Sequence, residues 1–271
     1  MTPSLTDRGA RLRDDDRHEE ALPLLRDAVA AGEPGASRQL ALTLMETGDY
    51  EAAEKVLVTA VDGGETRLAG LLGAVADDLG HAVTAESAYR TALAAGNGEA
   101  ANDFGVFLRG QERFDEAIAV LTEAVRAGDT LAAGNLVHLY LEDLADVGTA
   151  ERLAREHLDE RRPSTYVALA AVLAARGDLA GAEEAHRRSV ELGAPKAHQN
   201  FALFLWEERD DPVAAEREFR LAKEDDEPGW GYELGNFLVE RGRPDEAGDV
   251  LAHASAWGDL EARALLEDLE A

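Results

Sequence analysis

Small and large apolar residues recur along this chain with a period of 32 or 33 positions. Eight alanines, Ala21, Ala53, Ala85, Ala117, Ala150, Ala182, Ala215 and Ala247, are spaced 32, 32, 32, 33, 32, 33 and 32 residues apart, and their surroundings superimpose. Twelve positions before them stand Gly9, Ala41, Gly73, Gly105, His138, Ala170, Leu203 and Gly235, six of the eight being Gly or Ala. Four positions after them stand Leu25, Leu57, Tyr89, Leu121, Ala154, His186, Phe219 and Leu251. Seven after come Ala28, Ala60, Ala92, Ala124, His157, Ser189, Ala222 and Ala254. Within each repeat the apolar positions fall three or four apart in two segments, which predicts two amphipathic helices.

Glycines and prolines punctuate those segments. Gly48, Gly80, Gly177 and Gly242, each five before an anchoring alanine, mark the end of the first helix. Pro212 and Pro244 suit the first turn of the second, where a missing N–H costs nothing. Pro34, Pro163, Pro195 and Pro228 separate successive repeats. Helices about three turns long are marginal alone in water, so the hairpins must stack. Gly or Ala at the crossing lets two backbones approach, and the large residue four after the anchor fills the space beside it. Pro23, inside the second helix of the first repeat, is expected to shorten or kink it.

These residues resemble the tetratricopeptide repeat family and its bacterial Sel-like relatives. The likeness lies in the small residue before the anchor, the anchoring Ala, the large residue and the Ala that follow, and the trailing Pro. Stretches such as Asn102-Asp103-Phe104-Gly105-Val106-Phe107-Leu108 carry it. The resemblance implies an all-α fold: an α-solenoid, a right-handed superhelix of eight antiparallel helical hairpins plus a C-terminal capping helix. The repeats fall at 2–33, 34–65, 66–97, 98–130, 131–162, 163–195, 196–227 and 228–258, with the cap at 259–271, and form one array.

Composition narrows the function classes. Against 27 Lys and Arg there are 55 Asp and Glu, a formal net charge of −28 that repels nucleic acid and anionic membrane surfaces. Without cysteine there is no disulfide, thiolate zinc site or cysteine nucleophile. No apolar run reaches the ~20 residues that span a bilayer, and the chain reads as cytoplasmic. Phosphate-loop, dinucleotide, zinc-protease and nucleophile-elbow motifs are absent. The expectation is therefore a non-enzymatic protein with no cofactor. The histidines of repeats five and six, His138, His157 and His186, break the size rule. They read as a volume exchange, with Ala154 giving back the space that His138 takes, or alternatively as a metal site.

In the resembled family the first helices line a concave groove. The matching positions here hold Asn102, Asn135, Asn200 and Asn236, interleaved with Leu42, Val106, Leu139 and Phe204. Asp77, Asp78, Glu142, Asp143, Glu207, Glu208 and Glu240 rim the same face, opposed by Arg13, Arg38, Arg67 and Arg109. The amides offer donors and acceptors to an extended backbone, while the acidic rim favours a basic or neutral segment. The expected function is a scaffold that grips such a segment of a partner protein; a sensor of a small peptide is the alternative. The oligomeric state is left open. Eight of the 15 aromatics lie between 201 and 257, and among them Trp230 and Tyr232 are expected to be partly exposed partner anchors.

Overall fold

A computed structural model describes residues 3–270; Thr2 and Ala271, the outermost residues of the first repeat and the cap, lie outside the described residues. The described chain is a succession of seventeen α-helices without a β-strand. Its contacts divide it at Asp129–Thr130 into two compact units. The N-terminal unit holds α1 (Leu5–Asp14), α2 (His18–Ala30), α3 (Ala36–Glu46), α4 (Tyr50–Asp62), α5 (Ala69–Asp78), α6 (Ala82–Ala94), α7 (Ala100–Gly110) and α8 (Phe114–Ala127). In the C-terminal unit lie α9 (Ala132–His138), α10 (Val147–Glu156), α11 (Ser164–Ala175), α12 (Leu179–Glu191), α13 (Ala197–Glu207), α14 (Pro212–Glu224), α15 (Trp230–Glu240), α16 (Pro244–Ala256) and α17 (Leu260–Glu270).

Odd and even helices pair as hairpins, and each even helix packs on the next odd one within its unit. Odd helices also touch one another, α1 on α3, α5 on α7, and α9, α11 and α13 in turn. The crossing follows the size pattern. A methyl group added to Gly9, Gly73 or Gly105 would lie 2.5 to 2.6 Å from Leu25, Tyr89 and Leu121 respectively. Small residue and large residue thus occupy one shared volume, at the packing density of a protein interior.

Each first helix ends on a left-handed residue five before the anchor. Glycine meets this at Gly48, Gly80, Gly177 and Gly242, whereas Asp16, Glu112, Ala145 and Asp210 adopt φ of 51° to 57° without that freedom. Seven of the eight second helices start in one of two ways; the other, α2, has Arg17 at its start, which pairs with Glu20 of the same helix. Asp49, Asp146, Asp178 and Asp211 accept a hydrogen bond from the backbone N–H three residues on. At the same position His81, Arg113 and Arg243 instead reach back to Glu54, Glu86 and Glu216 of the preceding hairpin, at 2.9, 2.8 and 2.8 Å. Glu33 and Glu227 close the starts of α1 and α13, accepting from the backbone N–H groups of Thr6 and Gln199 at 2.8 and 3.1 Å. Much of the acidic charge is therefore structural. The hydrogen bonds from Thr6 hold the Glu33 carboxyl below the usual range.

Two expectations need correction. Helix α2 runs through Pro23 for 13 residues, as many as α4, so the proline does not shorten it; its ring sits on the exposed side. The 33-residue spacings carry their additional residue at the end of the first helix. In repeat five it forms a π-helical turn, Leu139–Asp143. In repeat seven the N–H of Asp211 bonds to the carbonyl of Leu205, six residues back, where Asp49 bonds to Leu44, five back. The preceding helix is therefore displaced by one residue against the anchor. Val137 and Ala202, both buried, take the crossing positions that the anchor count gives to His138 and Leu203. The volume exchange in repeat five is between Val137 and Ala154.

Candidate functional site

The solvent-facing stripe of the first helices follows from this register. In the N-terminal unit Leu42 on α3, Ala74 on α5 and Val106 on α7 occupy one repeat position, eleven before the anchor. Leu42 and Ala74 are half-buried, and Val106 is 43% exposed. An apolar row of this kind, one residue per hairpin, can take side chains of an extended ligand.

Carboxylates flank the row. Asp77 and Asp78 end α5, and neither carboxylate makes a hydrogen bond or salt bridge among the described residues. Burial lifts both carboxyls above their ordinary value, and Asp78 raises Asp77 further. With Asp103 of α7 they act on the buried Tyr89 hydroxyl, whose ionisation is pushed up by burial first and by these three charges next. Arg13, at the other end of the face, is committed: it donates to Gln39 at 2.6 Å and to Asp14, and lies 3.6 Å from Glu46. Asp77, Asp78 and Asp103 thus place three carboxylates on α5 and α7, with Arg109 at the repeat position of Asp77.

Such charge has a measurable cost. Ionising a carboxyl whose folded pKa exceeds its unfolded one opposes folding, so the penalty is absent at low pH and grows as pH rises through the folded value. The double variant Asp77→Asn, Asp78→Asn is expected to melt higher than the parent at pH 7, by a margin that shrinks as pH falls into the carboxylate range. Circular-dichroism melts across pH check this; a lower melting point at pH 7 would contradict it.

Other expected groove residues are placed differently. Asn102 is buried, with its amide 3.3 Å from Asp103. Asn200 donates its amide to the Lys196 carbonyl at 2.7 Å. Asn135 and Asn236 are half-buried, and Arg109 is half-buried on α7. Glu142, Glu207 and Glu240 are exposed, Glu142 lying 2.8 Å from His138 Nδ1. Leu139 and Phe204, expected on the groove, are core residues instead, because the one-residue shift moves them to the position of the buried Phe107. His138 and Leu203 take the outward position of Val106 in their place. Trp230, expected to be partly exposed, is buried, and Tyr232 is half-buried.

The three histidines do not converge. His138 pairs with Glu142, His157 lies beside Ala133, Val137 and Ala154, and His186 is buried against Phe201 and Phe204 with ring centroids at 5.5 and 5.0 Å. Among the described residues no three His, Asp or Glu side chains form a group able to hold a metal ion. No described helix is long and apolar enough to cross a membrane.

No protein-family profile matches the sequence, and no curated protein matches it either. Solved structures do. A tetratricopeptide repeat protein from Parabacteroides merdae superimposes with a TM-score of 0.55 at 14% identity, covering 98% of this chain and 98% of that one. The chain has the tetratricopeptide-repeat fold. Yeast Tom70 matches with a TM-score of 0.60 at 14% identity over 94% of this chain and 59% of its own. A human IFIT1 dimer with m7Gppp-AAAA matches at 0.54 and 14% identity, over 98% and 70% respectively. At these identities the likeness establishes the repeat architecture, while function depends on the residues displayed on it.

Proposed function

We propose that this chain is a protein-interaction module whose first-helix face in the N-terminal unit takes an extended, basic or neutral segment of a partner protein. The observation that carries the reading is the row of half-buried Leu42 and Ala74 and exposed Val106 beside Asp77 and Asp78, carboxylates with no salt-bridge partner and raised pKa. Charge retained at a cost to stability is a common mark of a binding face. A ligand side chain bearing a cation would neutralise these two groups while its apolar neighbours cover the row. A polyanion such as the m7Gppp-AAAA of the IFIT1 structure would meet the −28 net charge of this chain, which argues for a protein segment.

Selection of random dodecapeptides displayed on phage against the intact protein tests this. Enriched peptides should be basic or neutral with apolar residues at alternate positions. Val106→Glu should weaken a selected, labelled peptide at least about tenfold, a loss of about 1.4 kcal/mol. Asp77→Asn with Asp78→Asn should flatten its salt dependence. Enrichment of acidic peptides, or unchanged affinity in Val106→Glu, would overturn the proposal.

A further inference from the structure

The last two inter-repeat turns of the C-terminal unit enclose an open cleft of about 900 Å³ whose side chains depart from the repeat. Trp257 stands ten after its anchor, where the other seven repeats hold Ala31, Gly63, Ala95, Ala127, Glu160, Leu192 and Asp225, none of them aromatic. Leu260, thirteen after the anchor, replaces a position that is proline in four repeats. Both are largely in solvent, Trp257 at 83% and Leu260 at 68% exposure, so the core does not explain them. The equivalent cleft between the turns at 95–99 and 127–129 has no aromatic side chain. Repeat identity acts here as an internal control: no other repeat places an aromatic side chain at the first position, so the repeat itself does not demand the indole.

The charges of the cleft decide what it suits. Two of the three lysines of the chain line it. Lys223 Nζ sits 5.0 Å over the ring of Trp230, and the charge of Lys196 partly offsets the rise that burial gives the Glu233 carboxyl. Of the four acidic residues, Glu227 caps α13 and Asp259 accepts from the Ala262 N–H at 2.9 Å. The carboxylates of Asp226 and Glu261 make neither a hydrogen bond nor a salt bridge among the described residues. What the cleft offers is therefore an exposed indole, two carboxylates and an adjacent leucine. The Lys223–Trp230 pair already shows a cation on an indole face in this surface.

We infer that this cleft is a second docking site, in which an arginine of a partner protein stacks on Trp257 and pairs with Asp226 or Glu261 while a neighbouring apolar side chain covers Leu260. Arginine suits the site better than lysine, since its planar guanidinium stacks on an aromatic face and still donates in plane to a carboxylate. The residues involved are different from those of the first-helix face, and either site can fail without the other.

Titration of the intact protein with acetyl-Arg-Leu-Arg-amide, followed by tryptophan emission and by calorimetry, tests the inference. Saturable binding with quenching is expected. The neutral isostere acetyl-Cit-Leu-Cit-amide should bind at least about tenfold more weakly, and acetyl-Glu-Leu-Glu-amide not at all. In a Val106→Glu background, which removes binding at the first-helix face, Trp257→Ala should abolish the calorimetric signal with the far-ultraviolet spectrum unchanged, because the side chain is exposed, and Glu261→Gln should weaken it. Equal binding of the citrulline peptide, tighter binding of the glutamate peptide, or full binding by Trp257→Ala in that background would each overturn the assignment.

Discussion

Gly231→Ala is expected to destabilise the C-terminal unit by about 3 kcal/mol, the upper end of what one methyl costs in a filled interior. Gly231 lies in the first turn of α15, where that helix meets α16, and a Cβ there would overlap the Cβ of Ala254. Unlike the leucine tips opposite Gly9 and Gly105, a Cβ has no rotamer to escape into, so one helix must move. Gly248→Ala is the matched control. Gly248 is in the middle of α16, and no atom lies within 4 Å of an added Cβ. Alanine is the better helix former by about 1 kcal/mol, so that variant should be stabilised. Urea titration of both variants by circular dichroism reads the difference, and a midpoint for Gly231→Ala at or above the parent's would contradict the packing account.

His186→Phe is expected to remove most of the loss of stability of this unit between pH 7 and pH 5. His186 is 5% exposed, and its Nδ1 is buried without a hydrogen-bond partner. Burial pushes its pKa down to about 4 from 6.5. A histidine with a depressed folded pKa is held neutral in the native state but charges freely when unfolded. Its stabilising contribution is complete above 6.5 and is lost as pH falls toward 4. At about 1.4 kcal/mol per tenfold, the loss from pH 7 to pH 5 is about 2 kcal/mol. Phenylalanine fits the same register, as Phe219 does over Ala202, and would stack on Phe201 and Phe204 without a titrating group. Equal slopes of stability against pH for parent and variant would show that acid sensitivity arises elsewhere.

The hairpin architecture could be read from spacing alone because each crossing demands a small residue opposite a large one, and only a fixed period satisfies this eight times. The side-chain directions in repeats five and seven could not be read from the anchors. A spacing of 33 shows that one residue is added, and its placement at the end of the first helix turns every residue before it by about 100°. That is why Leu139 and Phe204 are core and His138 and Leu203 face outward. A signal was present: Ala197, Phe201, Ala202, Phe204 and Leu205 repeat the spacing of Ala100, Phe104, Gly105, Phe107 and Leu108 without the shift. Exposure within an aromatic-rich segment was less accessible. Trp230 and Trp257 both flank turns, and only packing distinguishes the buried one, which lies against His253 and Lys223, from the one in solvent.

The acidic residues also divide into two kinds. Glu33, Glu86, Glu216 and Glu227 cap helices or bridge successive hairpins, and account for charge with no ligand in view. Asp77 and Asp78 do neither, and they flank the outward row of the first helices.

The central claim is that the first-helix face of the N-terminal unit is the binding surface. Amide hydrogen exchange of the intact protein, with and without a peptide selected from the dodecapeptide library, tests it most directly. The account predicts slower exchange confined in this unit to α3, α5 and α7, around Leu42, Ala74 and Val106. Protection on α4, α6 and α8 with the first helices unchanged would contradict it.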